Sequence, residues 1–475
     1  MKKFIAIGML IFAIGFNLWL YKMEPTATID PNDNAFQFAL VDRTNQIWDF
    51  ADKNCPINLS LVTCHLSLLI DHWVPNWAEG YNLPFYYSHV PQIIIVGSWR
   101  LLHSFIGLFT YYHWVIYLLL CFFPLSVFLA LRIIDLPWLA AGIGALLATH
   151  LSTDGLYGLD PSSFLWRGYG LSSQLFAMIW LPLALAYTWK YFSTNTKSGL
   201  WPAVIFMTAT VMGHLGIGII ALLSLIPLAL AHPSKQTLIK FIVLGGTVIF
   251  LLSYWIIPIV MGDNFHNISF WDPVWKFNSY GAKETIVRLF NGDLFDFGRF
   301  PIFTLLIFVG AFACIQKRWK SFTFLFLFWF FLYFGRTTWG GLIDLIPGMK
   351  DFHLSRFLVG VHIAGIFLAP IGFEWLVSLI PDRRIRILGI LGILGLLLPP
   401  IYQQTIRYSQ FNDTLIARAN ENHKKVSGDE QKLFAKLRSL PPARIFAGRG
   451  GGFGKDFRVA ETPYYMQLST FGLPT

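Results

Sequence analysis

Residues 111–132 read YYHWVIYLLLCFFPLSVFLALR, with no charged residue before the closing Arg132. At 1.5 Å per residue, a helix of this length crosses the roughly 30 Å hydrocarbon layer of a bilayer. Comparable apolar runs occupy 4–22, 136–151, 174–190, 200–213, 215–231, 240–261, 300–316, 321–335, 357–380 and 387–403. The run 200–231 is too long for one span, and Gly213-His214-Leu215-Gly216 breaks it, which predicts a tight hairpin. The segment 91–109 carries Arg100 and His103 and reads as a helix lying on the membrane surface, with a twelfth span as the alternative. These readings predict an all-α polytopic membrane protein with about eleven transmembrane helices.

Composition agrees. The 475 residues are 55% hydrophobic, 17% aromatic and 13% charged, with mean hydropathy +0.55. Soluble domains carry roughly 25% charged residues, so soluble, disordered and disulfide-scaffold classes are excluded. Continuous apolar runs also exclude the alternating segments of an outer-membrane barrel. The net charge of +10 has no basic-aromatic stripe of the nucleic-acid kind, and no nucleic-acid partner is expected.

The basic residues instead gather in short loops. With the N-terminus inside, segments 1–3, 132–135, 190–199, 232–240, 316–320 and 381–386 hold thirteen Lys or Arg against Asp135 and Asp382. Loop 23–90 holds eight acids against two basic residues. Eleven spans satisfy the positive-inside rule at every inner loop; twelve would invert the later ones. Lys2-Lys3 before an apolar run with no A-x-A site reads as a signal-anchor, which fits a bacterial inner membrane with the N-terminus cytoplasmic and the C-terminus extracytoplasmic. Cys121 and Cys314 read as packing residues, while Cys55 and Cys64 lie in a polar loop where an oxidising compartment would let them pair.

Sequence complexity collects on the outer face, in 23–90, 152–173, 262–299, 335–356 and the tail after 403. Phe36, Leu40, Ile47 and Phe50 recur at roughly helical spacing, so 34–51 reads as an amphipathic helix lying flat. Asp33 before it reads either as its N-cap or as a carboxylate held at the membrane surface as a general base, and Asp30 competes for both roles. Arg167, Arg336 and Arg356 stand beside spans in aromatic or glycine-rich settings. A guanidinium donates two parallel hydrogen bonds to phosphate, so the three are candidate ligands for a lipid-linked phosphate, against the plainer reading of side chains that reach for lipid headgroups. His72, Trp77, Tyr81 and His89 lie in an aromatic-rich stretch that reads as an interface belt or as a surface for stacking on sugar rings. His214, Asp263, His266 and Asp272 form no tight ligand spacing, and no metal site is assigned. Gly448–Asp456 lacks the spacing and the Ser or Thr of a phosphate loop and reads as a turn.

The tail, 404–475, differs in composition. Ser427-Gly428-Asp429-Glu430 reads as a capping box opening a helix to about Ser439, and Arg444–Ala447 as a short strand. The expected division is therefore a membrane domain, 1–403, and a small α/β extracytoplasmic segment, 404–475, packed on the membrane part or truncated.

An N-terminal span followed at once by an acidic residue and a membrane-parallel helix resembles the multi-spanning GT-C glycosyltransferases. Closer still is a resemblance to bacterial membrane proteins described as 6-pyruvoyl-tetrahydropterin synthase-related. It is carried by Asn32-Asp33-Asn34-Ala35-Phe36-Gln37, by 77–87, by Trp166-Arg167-Gly168-Tyr169-Gly170-Leu171, by Phe334-Gly335-Arg336 and by Arg356-Phe357. No zinc-binding histidine triad is present, so the description implies no pterin chemistry. The resemblance implies sugar transfer from a polyprenyl-phosphate-linked donor at the outer membrane face, with Asp33 as base. The partners expected are membrane lipids and that lipid-linked sugar. The alternatives are a lipid or glycan transporter without chemistry and an assembly component. An enzyme requires that Asp33 and the arginines meet in one outer cavity.

Overall fold

The computed structural model describes all residues except 1, 56–59, 78–79, 84–86, 167–169, 171, 195–196, 263–271, 316–317, 347, 351, 442, 448–456, 460–461 and 475. The described chain is helical: α1 (Lys2–Leu20), α2 (Asn34–Asn54), α3 (Ser60–Ile70), α4 (Val90–Trp99), α5 (Leu108–Ile133), α6 (Trp138–Leu147), α7 (Pro161–Phe164), α8 (Ser172–Ser193), α9 (Leu200–Gly213) and α10 (Leu215–Leu223) come first. Then follow α11 (Leu225–Leu230), α12 (Lys235–Met261), α13 (Val274–Asn278), α14 (Gly281–Asn291), α15 (Ile302–Ile315), α16 (Lys320–Tyr333), α17 (Arg336–Trp339), α18 (Leu358–Ser378), α19 (Arg383–Ser439) and α20 (Tyr464–Thr470). Two small antiparallel hairpins, His72–Val74 with Tyr81–Leu83 and Arg458–Val459 with Thr462–Pro463, are the only sheets among the described residues.

Among the described residues, six helical segments are long and apolar enough to cross a membrane: Lys2–Thr26, Leu108–Ile133, Ser172–Ser193, Lys235–Met261, Leu354–Ser378 and Ile387–Ser439. The other stretches expected to span are shorter apolar helices, and Val90–Trp99 is a ten-residue helix followed by turns. The chain does reverse at His214. A Cβ on Gly218 would lie 2.5 Å from Val211 Cα, an approach that seven residues of continuous helix cannot make.

Helix α18 is the centre, with every residue from Leu358 to Phe373 buried. Its approach to α15 is backbone to backbone: a Cβ on Gly310 would meet Leu368 O at 2.0 Å, and one on Gly372 would meet Leu306 O at 2.1 Å. Small residues serve this purpose in membranes, where dispersion and close contact replace the hydrophobic drive between helices. Within α18, His362 Nδ1 accepts from Leu159 N at 2.9 Å and Nε2 donates to Leu294 O at 2.7 Å. One imidazole thus ties two loops to the core.

The chain leaving α1 is clamped to α19. Ser409 Oγ donates to Leu20 O at 2.6 Å, Asn412 Nδ2 to Glu24 Oε1 at 2.9 Å, and the Asn420 amide bonds both Thr26 and Thr28. Asp30, wholly buried, faces His113 of α5 with Oδ2 to Nε2 at 3.2 Å. It holds the loop in place and is sealed from solvent.

The tail departs from expectation. Helix α19 runs unbroken from Arg383 to Ser439, across both the expected border at 403 and the expected cap at Ser427. Ser427 Oγ turns back to donate to Lys424 O at 3.1 Å, so it caps nothing, and the Lys425–Glu421 pair supports the helix through the same turn. Arg444–Ala447 is extended but pairs with no strand; Ile445 N bonds Pro474 O instead. Phe434, Ala447, Leu468 and Leu473 form a small core there, and Trp77 meets Tyr465 at 5.5 Å between ring centroids. Cys55 and Cys64 are disulfide-bonded.

Two outcomes follow from this packing. Gly372→Val forces α15 off α18 and lowers stability by about 1–3 kcal/mol, read by thermal unfolding in detergent. Asp30→Ala strands His113 in a closed site and lowers stability by about 3 kcal/mol or more, whereas Asp33→Asn does not lower it.

Candidate active site

Asp33 stands at the N-cap position of α2, at φ −60° and ψ −10°, and makes no capping hydrogen bond. A cap needs extended backbone, and this residue is already helical. Asn32 does the local work: its Oδ1 accepts from Asn34 N at 3.2 Å and its Nδ2 donates to Trp166 O at 3.5 Å. The Asp33 carboxylate is half-buried and free to face the chain opposite.

Opposite it is Arg356, in the turn that leads into α18. Its guanidinium lies over the Tyr157 ring at 5.3 Å and makes no hydrogen bond or ion pair among the described residues. Lys276 of α13 lies over the same ring at 4.9 Å and donates to Asp272. His353 Nε2 is 3.6 Å from Asp272 Oδ2, and its ring meets Phe277 edge-on at 4.4 Å. A cavity of about 260 Å³ opens among Tyr87, His214, Gly216, Phe352, His353 and Arg356. His214 is placed by the α9–α10 reversal, where Nδ1 accepts from Ile217 N at 3.3 Å. The Tyr87 hydroxyl is fixed by Gln37 Nε2 and Ser173 Oγ, each at 2.8 Å.

Burial pushes the Asp33 carboxyl up to about 6, while Arg356 and then Lys276 pull against it and Asp272 adds to the rise. His353 is held down to about 4, first by burial and then by the charge of Arg356. At neutral pH the site therefore combines an ionised but weakly stabilised carboxylate, a neutral imidazole and an unengaged guanidinium. A proton acceptor beside an anion-binding group is the arrangement a transfer to a hydroxyl with departure of a phosphate requires. Among the described residues no three His, Cys, Asp or Glu side chains are grouped to hold a metal ion; Asp263 and His266 lie outside them.

Of the residues singled out from sequence, Arg356 lines this cavity, and Asp33 stands outside its lining but within the electrostatic reach of that guanidinium. Arg167 lies outside the described residues, although Trp166 and Gly170 on either side pack against Asn32. Arg336 is engaged through all three nitrogens, with Asp344 Oδ1 at 2.6 Å, Asn278 Oδ1 at 3.1 Å and the carbonyls of Phe277, Met349 and Lys350. It braces the outer loops. Tyr81 and Trp77 belong to a cluster with Phe36 and Leu40, one layer behind the cavity, where Phe36 meets Tyr87 edge-on at 5.2 Å. His72 Nδ1 bonds Leu68 O at 3.0 Å, and His89 Nε2 bonds Tyr254 of α12 at 2.8 Å; burial holds both imidazoles down at about 4. Asp272, Lys276, His353 and above all Tyr157 were not legible as partners, because they come from three separate outer loops.

No family model matches the sequence, and no curated protein matches it. Solved structures do resemble it in fold. Oligosaccharyltransferase AglB from Archaeoglobus fulgidus, in complex with an inhibitory peptide and a dolichol-phosphate, aligns with TM-score 0.50 and 13% identity over 86% of this chain and 56% of that one. The Archaeoglobus fulgidus oligosaccharyltransferase tethered with an acceptor peptide gives TM-score 0.52 and 13% identity over 86% and 55%. Arabinofuranosyltransferase AftD from Mycobacteria gives 0.50 and 13% over 85% and 27%. The chain spans about half the length of the oligosaccharyltransferases it matches. It is a multi-pass helical membrane protein whose fold resembles that of these solved structures.

Proposed function

We propose that this protein is a GT-C membrane glycosyltransferase that moves a sugar from a polyprenyl-phosphate donor to an acceptor outside the cytoplasm. The observation that carries the reading is an unengaged Arg356 that lines the cavity and acts electrostatically on the nearby Asp33 carboxyl. Asp33 takes the proton of an acceptor hydroxyl as its oxygen attacks the anomeric carbon. Arg356 binds the departing lipid phosphate, with Lys276 beside it, and Arg167 remains a candidate for the same anion. Tyr87 and His214 shape the wall against which the donor lies. The shared fold supports the reading, and so does the dolichol-phosphate bound in the AglB structure.

The site faces the outer side in the topology that places Lys and Arg in the inner loops, and a bacterial inner membrane with N-terminus inside and C-terminus outside suits it. The Cys55–Cys64 disulfide supports an oxidising compartment for loop 23–90. Eleven spans, and the finer likeness to the 6-pyruvoyl-tetrahydropterin synthase-related proteins, belong to this same reading and rest on the sequence.

With purified protein and a polyprenyl-phosphate sugar donor, Asp33→Asn lowers transfer by about 10²–10⁴-fold, the usual worth of a positioned base. Undiminished transfer by that variant removes the assignment. Arg356→Ala raises the KM for donor and lowers kcat, and Arg356→Lys recovers part of the loss. The rate falls as pH drops through about 6, because Asp33 must be ionised to accept a proton. Stability runs the other way. A carboxyl whose folded value lies above its unfolded one is most favourable below the unfolded value, and that advantage is lost as pH rises through about 6. Asp33→Asn is therefore at least as stable as the native chain at pH 8, while it is inactive.

A further inference from the structure

Tyr157 has no place in the chemistry above, yet its backbone is strained and its ring is shared by both cations of the site. It sits at φ +64°, a conformation that a bulky side chain avoids. Its surroundings enforce it. Gly158 N donates to Asp160 Oδ1 at 3.2 Å, Leu159 N to His362 Nδ1 at 2.9 Å, and Gln174 Nε2 to Gly158 O at 2.9 Å. A Cβ on Gly158 would sit 2.1 Å from His362 Cε1, so the turn cannot move away. Strain of this kind persists where the surrounding structure over-determines it, and its outcome here is the placement of one ring. That ring is buried, with the guanidinium of Arg356 at 5.3 Å and the ammonium of Lys276 at 4.9 Å from its centroid.

We infer that Tyr157 is a positioning residue: its ring holds Arg356 back from Asp33, keeping the carboxylate available as a base and the guanidinium available to a phosphate-bearing ligand. The inference rests on the reading of this cavity as a base and anion site. Lys276 is already held by Asp272, to which it donates at 2.5 Å, whereas Arg356 has no such partner among the described residues and closes on a nearby carboxylate unless something else attracts it. The negative face of an aromatic ring does so without supplying a competing charge. The groups facing Asp33 are Arg356, Lys276, Asp272 and the Tyr87 phenol. Without the ring, Arg356 settles on Asp33. Its ionised form is then favoured, so its titration moves down, and Arg356 is no longer free for the ligand.

The test uses the full chain in lipid nanodiscs and dodecyl methyl phosphate, a diester whose single charge does not titrate between about pH 5 and pH 8. The native chain binds it, and binding weakens through about pH 6 as Asp33 ionises. Tyr157→Phe, which keeps the ring, matches the native chain in affinity and midpoint. Tyr157→Asn, a residue that tolerates positive φ, binds about tenfold more weakly with the midpoint about one unit lower. Tyr157→Gly, free of strain at this φ, repeats that result if the Asn variant does not fold. Ring-less variants that keep native affinity and midpoint overturn the inference while leaving the function reading intact, and so does a Tyr157→Phe variant as impaired as Tyr157→Asn. A native chain that does not bind the diester removes the anion site itself, and the inference with it.

Discussion

A single imidazole in the middle of the molecule sets the geometry of the loops around the candidate site. His362 lies in the fully buried α18, where an unsatisfied ring nitrogen or backbone group would cost several kcal/mol in a surrounding without water. It meets that constraint by accepting from Leu159 N and donating to Leu294 O. The two loops so joined are separated by more than a hundred residues. Gly158 gives the ring room, and Tyr157, next in the chain, is delivered beneath Arg356 and Lys276 as a consequence.

The same logic orders the entrance. The segment after α1 carries the candidate base, and a loose segment would place that carboxylate anywhere along the membrane surface. Asp30 against His113, Asn412 against Glu24 and Asn420 against Thr26 and Thr28 bind it to two helices distant in sequence. The two acids three residues apart thus differ in kind. Asp30 is closed in with a partner and supports the fold. Asp33 is left without a hydrogen bond among the described residues, which is unfavourable for folding and is what the proposed base would require.

The arginines divide in the same way. Arg336 and Arg356 both stand in loop segments beside an apolar helix and look alike in sequence. Five acceptors surround the first, and the second meets only a ring face and the electrostatic pull of Asp33. A guanidinium with all its donors engaged braces a loop; one with its donors open binds what enters.

Much of the architecture was written in hydropathy. The apolar runs, the glycine break at His214 and the charge bias of the loops follow from transfer free energy, which acts residue by residue and needs no knowledge of partners. The acidic start of α2 and Arg356 were legible because carboxylate and guanidinium have few uses beside an apolar span. What local pattern could not supply was pairing across loops. Ser427 looks like a cap until the helix is seen to continue through it, and Asp30 looks as catalytic as Asp33 until His113 is found against it. Tyr157 carries no signal at all in its neighbours, since its role arises from two cations contributed by other loops and from a backbone held by a histidine about two hundred residues later. Apolar segments name themselves by their own solvation; the worth of a polar side chain is decided by what folding brings to it.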